Sequence, residues 1–523
     1  MGGQSHELTG GRKGCCPCGC DHGNGQISRR TFLQGAGGAT LAGAALTGLT
    51  WSAVAMAEVR GEAAPKRREL VVKPLLIHDL PRRRPQTSWR NWGGIQTEEQ
   101  AKEEVARIER ELAAISKGAD FPVKFLPVAR IQNTAGLGGI GDLDSADTYL
   151  VYAAGGGMDT FDALGSKGKD IILFCRHRSG PVYLWYEIIS PRHLRKHTDS
   201  LAVKGMDDQD VVIDSQDEIT WRLRSLCGLR NTMGTKIVAI GGAGAWAQPQ
   251  DVVPNLVRDK WKFDIQVFGY DKLAGLIKEA RADKSAVERA RQRAERYLNS
   301  EGTTLETKRQ YVDNAFLLEQ VFRGVMNEAG CTAITINSCM GTIMPMSETT
   351  ACLPLSLLND AGYLAFCESD FVVIPSGVLL ANISGKPVFL NDPTYPHDGV
   401  ITIAHCTGPR RMTGKELEPA RIMTHFESDY GASPKVEMAK GHTVTNIIPD
   451  FASERWVGLR AETIETPFMD ICRAQVDIRY GCDDLLLAER MPGFHWMTGY
   501  GDYMKEIGYA LKRVGIKWEN LTA

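Results

Sequence analysis

The stretch Lys236-Ile-Val-Ala-Ile-Gly-Gly-Ala-Gly244 decides the fold class, because an apolar strand runs directly into a glycine turn. Two long helical stretches follow, at residues 285–298 and 305–329, and a second apolar run spans residues 332–337. Strands joined through helices in this way predict a parallel sheet, since antiparallel neighbours need only a short turn. Residues 263–268 are predicted to add another strand to the same sheet.

The sequence upstream predicts a separate α/β unit. Residues 70–77 form an apolar strand, and Thr97 with Gln100 makes a capping box that opens a helix. The apolar face of this helix is formed by Val105, Ile108, Leu112 and Ile115. Further strands bounded by Gly and Pro are predicted at residues 148–153, 170–175 and 183–188.

From Val400 onward the chain changes to short β-rich segments separated by turn residues, which favours a mostly antiparallel sheet or barrel. These segments are residues 400–405, 422–426, 435–438 and 444–448. We therefore predict an α/β protein with two Rossmann-like parallel-sheet domains and a β-rich, barrel-like C-terminal domain. The expected divisions are a signal peptide at 1–57, a linker at 58–69, and domains at 70–232, 233–390 and 391–523.

The first 57 residues are typical of a twin-arginine leader. The motif Ser28-Arg-Arg-Thr-Phe-Leu33 precedes a charge-free, Gly/Ala/Leu-rich stretch that ends in Ala55-Met-Ala57, a cleavage signal. The expected partner is the twin-arginine translocation machinery, and the expected location is periplasmic or otherwise extracytoplasmic. No permanent membrane span is expected after cleavage, because no later stretch is long and apolar enough.

Composition excludes one class of partner and indicates the state of the thiols. The chain has 61 basic and 63 acidic residues, a net charge of −2, so it lacks the basic surface that nucleic-acid binding requires. Folding before export agrees with reduced core thiols and would allow a metal to be loaded in the cytoplasm. The cysteines after the leader lie mostly in apolar runs: 175, 227, 331, 339, 352, 367, 406, 472 and 482.

Carboxylates and histidines in the second half of the chain predict a metal site. Glu348 and Asp370 flank a predicted helix and a short strand, so both can return to the edge of a parallel sheet where ligand sites collect. Such a pair can hold a divalent ion and supply acid–base catalysis. His405, which ends a strand, and His495 would add nitrogen ligands suited to manganese, cobalt, iron or zinc.

Several phrases in this order resemble the L-fucose isomerase-like superfamily, which includes the L-arabinose isomerases. They are Cys352 to Gly362, Cys367-Glu-Ser-Asp370, Gly385 to Asp392, His405-Cys-Thr407 and His495 to Asp502. The resemblance implies the three-domain order given above and a metal-dependent aldose–ketose isomerase, an intramolecular oxidoreductase acting on a small sugar. It also implies Mn²⁺ as the metal and a homo-oligomer.

The resemblance implies roles for individual residues. Asp370 and His495 match the Asp and His that hold the manganese, and two carboxylates carry a proton between C1 and C2 of the sugar. The resemblance does not decide which residue is the Glu of this set. Glu348 has the expected sequence separation from Asp370, and Glu368 is the alternative. His405 would be a fourth ligand or a substrate contact.

Other polar residues are candidate sugar contacts. Arg176 and His177 follow a buried strand, where substrate contacts often lie. The remaining candidates are Glu368, Arg410 and His425.

Two alternative functions stay open. A sugar-binding protein of the same fold without turnover would be favoured if Glu348 pointed away from Asp370 and His495. The glycines of residues 242–247 also fit a dinucleotide site of an NAD(P)-dependent oxidoreductase. Against this, Pro249 and Pro254 interrupt the helix that should bind the pyrophosphate.

Overall fold

The computed structural model describes residues 49–60, 65–183, 206–246, 248–249 and 251–522. The first domain contains a six-stranded parallel sheet in the order β2-β1-β4-β5-β6, with β3 also paired to β1. The strands are β1 Leu70–Ile77, β2 Val123–Phe125, β3 Ala129–Ile131, β4 Thr148–Ala153, β5 Asp170–Cys175 and β6 Val211–Ile213. The first helices are α1 Trp51–Arg60, α2 Glu98–Gly118, α3 Met158–Ser166 and α4 Gln216–Thr232.

The predicted helix of this domain is confirmed by α2. The Thr97 side chain accepts from the Gln100 backbone N–H, and the Gln100 side chain accepts from the backbone of Thr97. Its buried face carries Ile108, Leu112 and Ile115. The strand predicted at residues 183–188 falls almost entirely outside the described residues.

The second domain is built on a four-stranded parallel sheet in the order β11-β10-β7-β8. These strands are β7 Lys236–Ile240, β8 Asp264–Phe268, β10 Ala333–Ile336 and β11 Leu364–Phe366. Its helices are α5 Val252–Trp261, α6 Tyr270–Ala282, α7 Lys284–Leu298, α8 Arg309–Glu328, α9 Cys339–Ser347, α10 Cys352–Asp360 and α11 Ile374–Ser384. The stretch from Lys236 to Gly244 therefore forms a strand of a parallel sheet and the turn after it, as predicted.

The turn after β7 requires glycine. Gly241 has a φ of +76°, and a Cβ placed there would lie 2.3 Å from the ring of Tyr270. A side chain would both strain the backbone and clash with the aromatic ring.

The helix predicted at residues 305–329 begins later than expected. Residues Thr303–Leu305 form the short strand β9, which pairs in parallel with β14, Ala420–His425. β14 also pairs with β15, Tyr430–Val436. Leu305, the first residue of the predicted helix, is therefore part of a strand that pairs with the C-terminal region. The sequence of β9 alone does not indicate this distant partner.

The C-terminal domain is a closed six-stranded antiparallel barrel. Its strands run in the order β16-β19-β12-β13-β18-β17, and pairing of β17 with β16 closes the ring. They are β12 Phe389–Pro393, β13 Val400–His405, β16 Thr443–Ile448, β17 Arg455–Glu465, β18 Ala474–Tyr480 and β19 Trp496–Tyr500. The remaining elements are α12 Asp484–Arg490, α13 Met504–Arg513 and β20 Lys517–Asn520, which pairs with β17.

Helix α1 contains the end of the predicted leader. The motif at residues 28–33 lies outside the described residues, but the predicted cleavage signal Ala55–Ala57 lies within α1. Val54 is fully buried against Gly324 of α8, and the Trp51 indole N–H donates to Asp283 (3.0 Å). None of the described helices has both the length and the apolar character needed to cross a membrane.

Two tryptophans join the second domain to the barrel. Trp261 at the end of α5 and Trp456 on β17 are both fully buried, and their rings are stacked with centroids 5.4 Å apart. Large aromatic side chains contribute much of the apolar area at such junctions.

We expect Trp456→Ala to lower the free energy of unfolding by about 3–5 kcal/mol, because it removes buried area and leaves a cavity. Denaturant titration followed by circular dichroism measures this. Trp92→Ala is the matched control, since Trp92 is 77% exposed and its loss should change stability by less than about 0.5 kcal/mol. Equal effects of the two substitutions would contradict the role given to Trp456.

Candidate functional site

The first half of the site is a strained loop at the carboxyl edge of the second sheet. Strand β11 leads into Cys367-Glu-Ser-Asp370, where Glu368 and Ser369 have φ values of 63° and 50°. Left-handed backbone at non-glycine residues costs about 1–3 kcal/mol each and is concentrated at functional sites. The loop is held in place because the Ser369 hydroxyl donates to the Gly242 carbonyl (2.7 Å).

A second contact between this loop and the glycine turn bears on the dinucleotide alternative. The Gly244 N–H donates to the Ser369 carbonyl (3.2 Å), so the glycine turn is occupied by the Glu368 loop. Helix α5 begins only at Val252, so the turn does not open directly into a helix whose N-terminus could hold a pyrophosphate. The local geometry favours a supporting role for this turn.

The second half of the site comes from three neighbouring barrel strands. Asp392 lies on β12, His405 ends β13, and His495 immediately precedes β19. β12 pairs with both of the others, placing Asp392 opposite Ala404 and Asn391 opposite Trp496. The barrel rim therefore brings these three side chains towards the Glu368 loop.

His495 is the centre of the cluster. Its Nδ1 lies 2.6 Å from Asp370 Oδ2, and its Nε2 lies 3.2 Å from both Glu368 Oε2 and Asp392 Oδ1. The Nε2 of His405 lies 3.6 Å from Glu368 Oε1. One imidazole is thus surrounded by three carboxyl groups, which offer more acceptor atoms than its two ring nitrogens can donate to.

Burial divides the cluster into a closed and an open side. Asp370, His405 and His495 are each less than 5% exposed, whereas the side chains of Glu368 and Asp392 are 38% and 34% exposed. The buried groups form a fixed base, and the two exposed carboxyl groups are accessible to a ligand.

Electrostatics within the cluster shift three pKa values. Burial acts to raise the pKa of Glu368, but hydrogen bonds with His405 and His495 outweigh it and hold that pKa well below its usual range. Burial lowers the pKa of His405, yet Glu368 and Asp392 raise it to about 9. The pKa of His495 is likewise raised well above its usual value by Asp370, Asp392 and Glu368 against the effect of burial.

The cluster suits a divalent cation. Carboxylate oxygens and imidazole nitrogens are the donors that manganese, iron, cobalt and zinc share. Glu368, Asp392, His405 and the Nε2 of His495 carry donors of these types, and the excess of acceptors around His495 would be relieved by a positive ion. Among the described residues, the groups whose ligand atoms all lie within 4.8 Å of one another are instead Cys352, Cys406 and His425, and Cys367, His405 and Cys406. Asp370 holds the opposite nitrogen of His495, the arrangement by which a carboxylate orients a metal-binding histidine.

An aromatic wall adjoins this donor set. Trp246, on the loop after β7, and Phe494 meet edge to face with ring centroids 4.2 Å apart. The Phe494 ring is also 4.2 Å from that of His495. Both side chains are partly exposed, so the site combines polar donors with an apolar surface.

Glu348 lies outside this cluster. It ends helix α9 in a left-handed conformation with a φ of 51°, and its carboxylate pairs with Arg281 (2.8 Å). Among the described residues, no hydrogen bond or ion pair joins Glu348 to Asp370, His405 or His495. Of the two candidate glutamates, the structure therefore brings Glu368 to the other predicted ligands.

The two candidate contacts in the first domain have local partners there. Arg176 is fully buried and pairs with Glu104 and with Glu111, the latter at 2.8 Å. The His177 backbone N–H donates to Asp214 (2.8 Å), which also accepts from the Ser179 hydroxyl. These contacts stabilise the loop after β5, and none of them reaches the cluster around His495.

Arg410 and His425 also make contacts of their own. Arg410 is fully buried, donates to the Glu418 carbonyl (2.7 Å) and lies over the ring of Tyr297. His425 is buried, with Nδ1 3.1 Å from the Ser428 hydroxyl, and it lies beside Cys352 and Cys406. The predicted residues that the structure does bring together are Glu368, Asp370, His405 and His495.

Sequence reasoning did not select two residues that line the site. Asp392 comes two residues after the apolar run Val388-Phe-Leu390, a pattern similar to the one that identified His405. Trp246 follows the glycine turn, but its contact with Phe494 joins residues far apart in sequence. Asp392 could have been found by considering every polar residue near the end of a predicted strand. No local sequence signal indicated Trp246.

No family model matches the chain, and no curated protein matches it either.

The cluster predicts a specific pH dependence of stability. In metal-free protein, the raised pKa of His405 stabilises the fold fully below about pH 6.5, and this contribution is lost as the pH rises through about 9. His495 acts in the same direction. We expect the free energy of unfolding to fall by on the order of 3 kcal/mol across this window, measured by denaturant titration with chelator present.

His405→Gln should flatten this profile. His397→Gln is the matched control because His397 is exposed and its ring Nδ1 lies 2.9 Å from the Tyr395 carbonyl, a local contact. A native profile without a decline above pH 6.5 would contradict the charge state assigned to the cluster.

Proposed function

We propose that this protein is a metal-dependent aldose–ketose isomerase of the L-fucose isomerase-like kind, with Mn²⁺ as its metal. The observation that carries the proposal is the convergence of Glu368, Asp392, His405 and His495 from two domains on one partly open site. The fold agrees with the order of domains that the sequence resemblance implies. Export by the twin-arginine pathway and a homo-oligomeric assembly belong to the same proposal and rest on the sequence.

The buried residues position the site. Asp370 accepts from His495 Nδ1 and from the Val372 backbone N–H (3.0 Å), so its carboxylate fixes the ring orientation. This leaves Nε2 directed at Glu368 and Asp392. Asp370 is therefore a positioning residue in this proposal, rather than the direct ligand that the resemblance implied.

The exposed carboxylates carry the proton chemistry. A bound divalent ion would supply Lewis-acid polarisation of the sugar carbonyl. Glu368 and Asp392 are accessible to substrate, and one of them would take the proton from the hydroxyl-bearing carbon and return it to its neighbour. The depressed pKa of Glu368 keeps its carboxylate in the ionised form that a base requires, but it also lowers the proton affinity of that carboxylate.

Trp246 and Phe494 would bind the sugar skeleton. The C–H face of a sugar ring or chain is apolar, and aromatic side chains offer a flat apolar surface with few rotatable bonds. Their position beside His495 places such a surface next to the donor atoms. Stacking there would orient C1 and C2 towards the carboxylates.

A sugar-binding protein without turnover is the second candidate. The ion pair of Glu348 with Arg281 favours the binding protein, because it directs one of the two candidate catalytic glutamates away from Asp370 and His495. Under this alternative the cluster binds metal and sugar but moves no proton. Binding and turnover must therefore be measured separately.

We expect purified protein to retain manganese and to interconvert an aldose and its ketose in a screen of C5 and C6 sugars. Glu368→Gln should lower kcat/KM by at least about 100-fold, because it removes the base. Asp370→Asn should weaken manganese affinity by about 10–100-fold by releasing His495. Glu348→Gln is the matched control and should leave both quantities unchanged.

Three outcomes separate the candidates. Manganese binding with turnover lost in Glu368→Gln supports the isomerase. Sugar binding by calorimetry without turnover of any sugar indicates the binding protein. Failure to retain manganese, together with loss of activity in Glu348→Gln, would overturn the assignment of the site.

A further inference from the structure

A second cluster of donor atoms lies behind the candidate site and is made of thiols. The ligand atoms of Cys352, Cys406 and His425 all lie within 4.8 Å of one another. The same is true of Cys367, Cys406 and His405, and the Cys406 Sγ lies 3.8 Å from the Nδ1 of His405. Cys339 extends the group, with its Sγ 4.0 Å from that of Cys367.

Each member is delivered by a different element. Cys352 begins α10, Cys367 follows β11, Cys406 follows β13, and His425 ends β14. Cys367 and Cys406 are also the chain neighbours of Glu368 and His405. Adjacent residues of these two segments thus supply oxygen and nitrogen donors to the candidate site and sulfur donors to the thiol cluster.

The side chains match a metal centre more closely than ordinary core packing. Cys352, Cys367, Cys406 and His425 are each at most 5% exposed, so water does not satisfy their polar atoms. Isolated thiols are common in cores. Cys352, Cys406 and His425 lie together, and Cys367 lies within 4.8 Å of Cys406, so these four side chains offer the donor types of a tetrahedral zinc site with three cysteines and one histidine.

We propose that Cys352, Cys367, Cys406 and His425 bind a thiophilic metal ion, zinc(II), at a second site that adjoins the manganese site at His405. Each thiol loses its proton to water on binding, and the ion accepts the resulting thiolates. The ion ties α10 and the second sheet to β13 and β14, so it cross-links the second domain to the C-terminal region. The contact between His425 Nδ1 and Ser428 holds the imidazole in place.

The experiment uses the full chain, purified without added metal and then loaded with cobalt(II) as a spectroscopic substitute for zinc. Cobalt bound to thiolates gives an intense charge-transfer absorption that cobalt bound to oxygen and nitrogen lacks. We expect this absorption at one equivalent of cobalt and its loss on addition of zinc. Cys406→Ser should abolish it and lower zinc retention against a chelator at least about tenfold.

Cys331→Ser is the matched control, because Cys331 is buried, its thiol donates to the Ala329 carbonyl (3.6 Å), and within the described part of the chain no hydrogen bond joins it to the thiol cluster. Cys352→Ser provides a second ligand variant, and circular dichroism establishes that each variant is folded. Retention of the charge-transfer band in both folded ligand variants would overturn the proposal. So would a Cys352–Cys406 or Cys339–Cys367 disulfide, found by mass spectrometry, in protein purified under reducing conditions.

The test is independent of the proposed isomerase. Glu368→Gln removes a donor from the candidate site but none from the thiol cluster, so it should leave the thiolate band intact. A protein that shows the band but no isomerase activity supports the zinc site alone. A protein that isomerises a sugar without the band supports the isomerase alone.

Discussion

The hydrogen bond between Asp370 and His495 links two architectures that have no backbone pairing at this point. Asp370 belongs to the carboxyl edge of a parallel sheet, and His495 to the rim of a closed barrel. Asp370 holds one ring nitrogen of His495, and the opposite nitrogen faces Glu368 and Asp392. Strained backbone at Glu368 and Ser369 is tolerated because the loop is fixed to the glycine turn on one side and to His495 on the other.

Charge explains why these groups are more suited to function than to stability. Three carboxyl groups around one imidazole leave acceptors without donors, and replacing such groups by apolar side chains often stabilises a protein. Barrel closure and the Trp261–Trp456 stack provide apolar contacts independent of this cluster. The fold can therefore carry a costly polar site at the junction of two domains.

Local sequence signals were sufficient for much of the fold. The apolar run before Gly241 predicts a strand and the capping box at Thr97 predicts a helix start. Both elements depend on neighbouring residues in the sequence, so both were predictable. β9 was missed because its partner β14 lies more than a hundred residues away. At the site, the phrase around Asp370 and the strand-end His405 were informative. The sequence did not indicate where the Glu348 side chain points, because its position depends on the left-handed backbone at the helix end and on the ion pair with Arg281.

Helix α1 packs the predicted cleavage signal into the fold. Proteolysis concentrates on exposed, poorly hydrogen-bonded segments. Residues 55–57 instead lie in a helix whose Val54 is buried against Gly324. Cleavage after Ala57 at the predicted site would therefore remove Trp51 and Val54 from the core of the second domain.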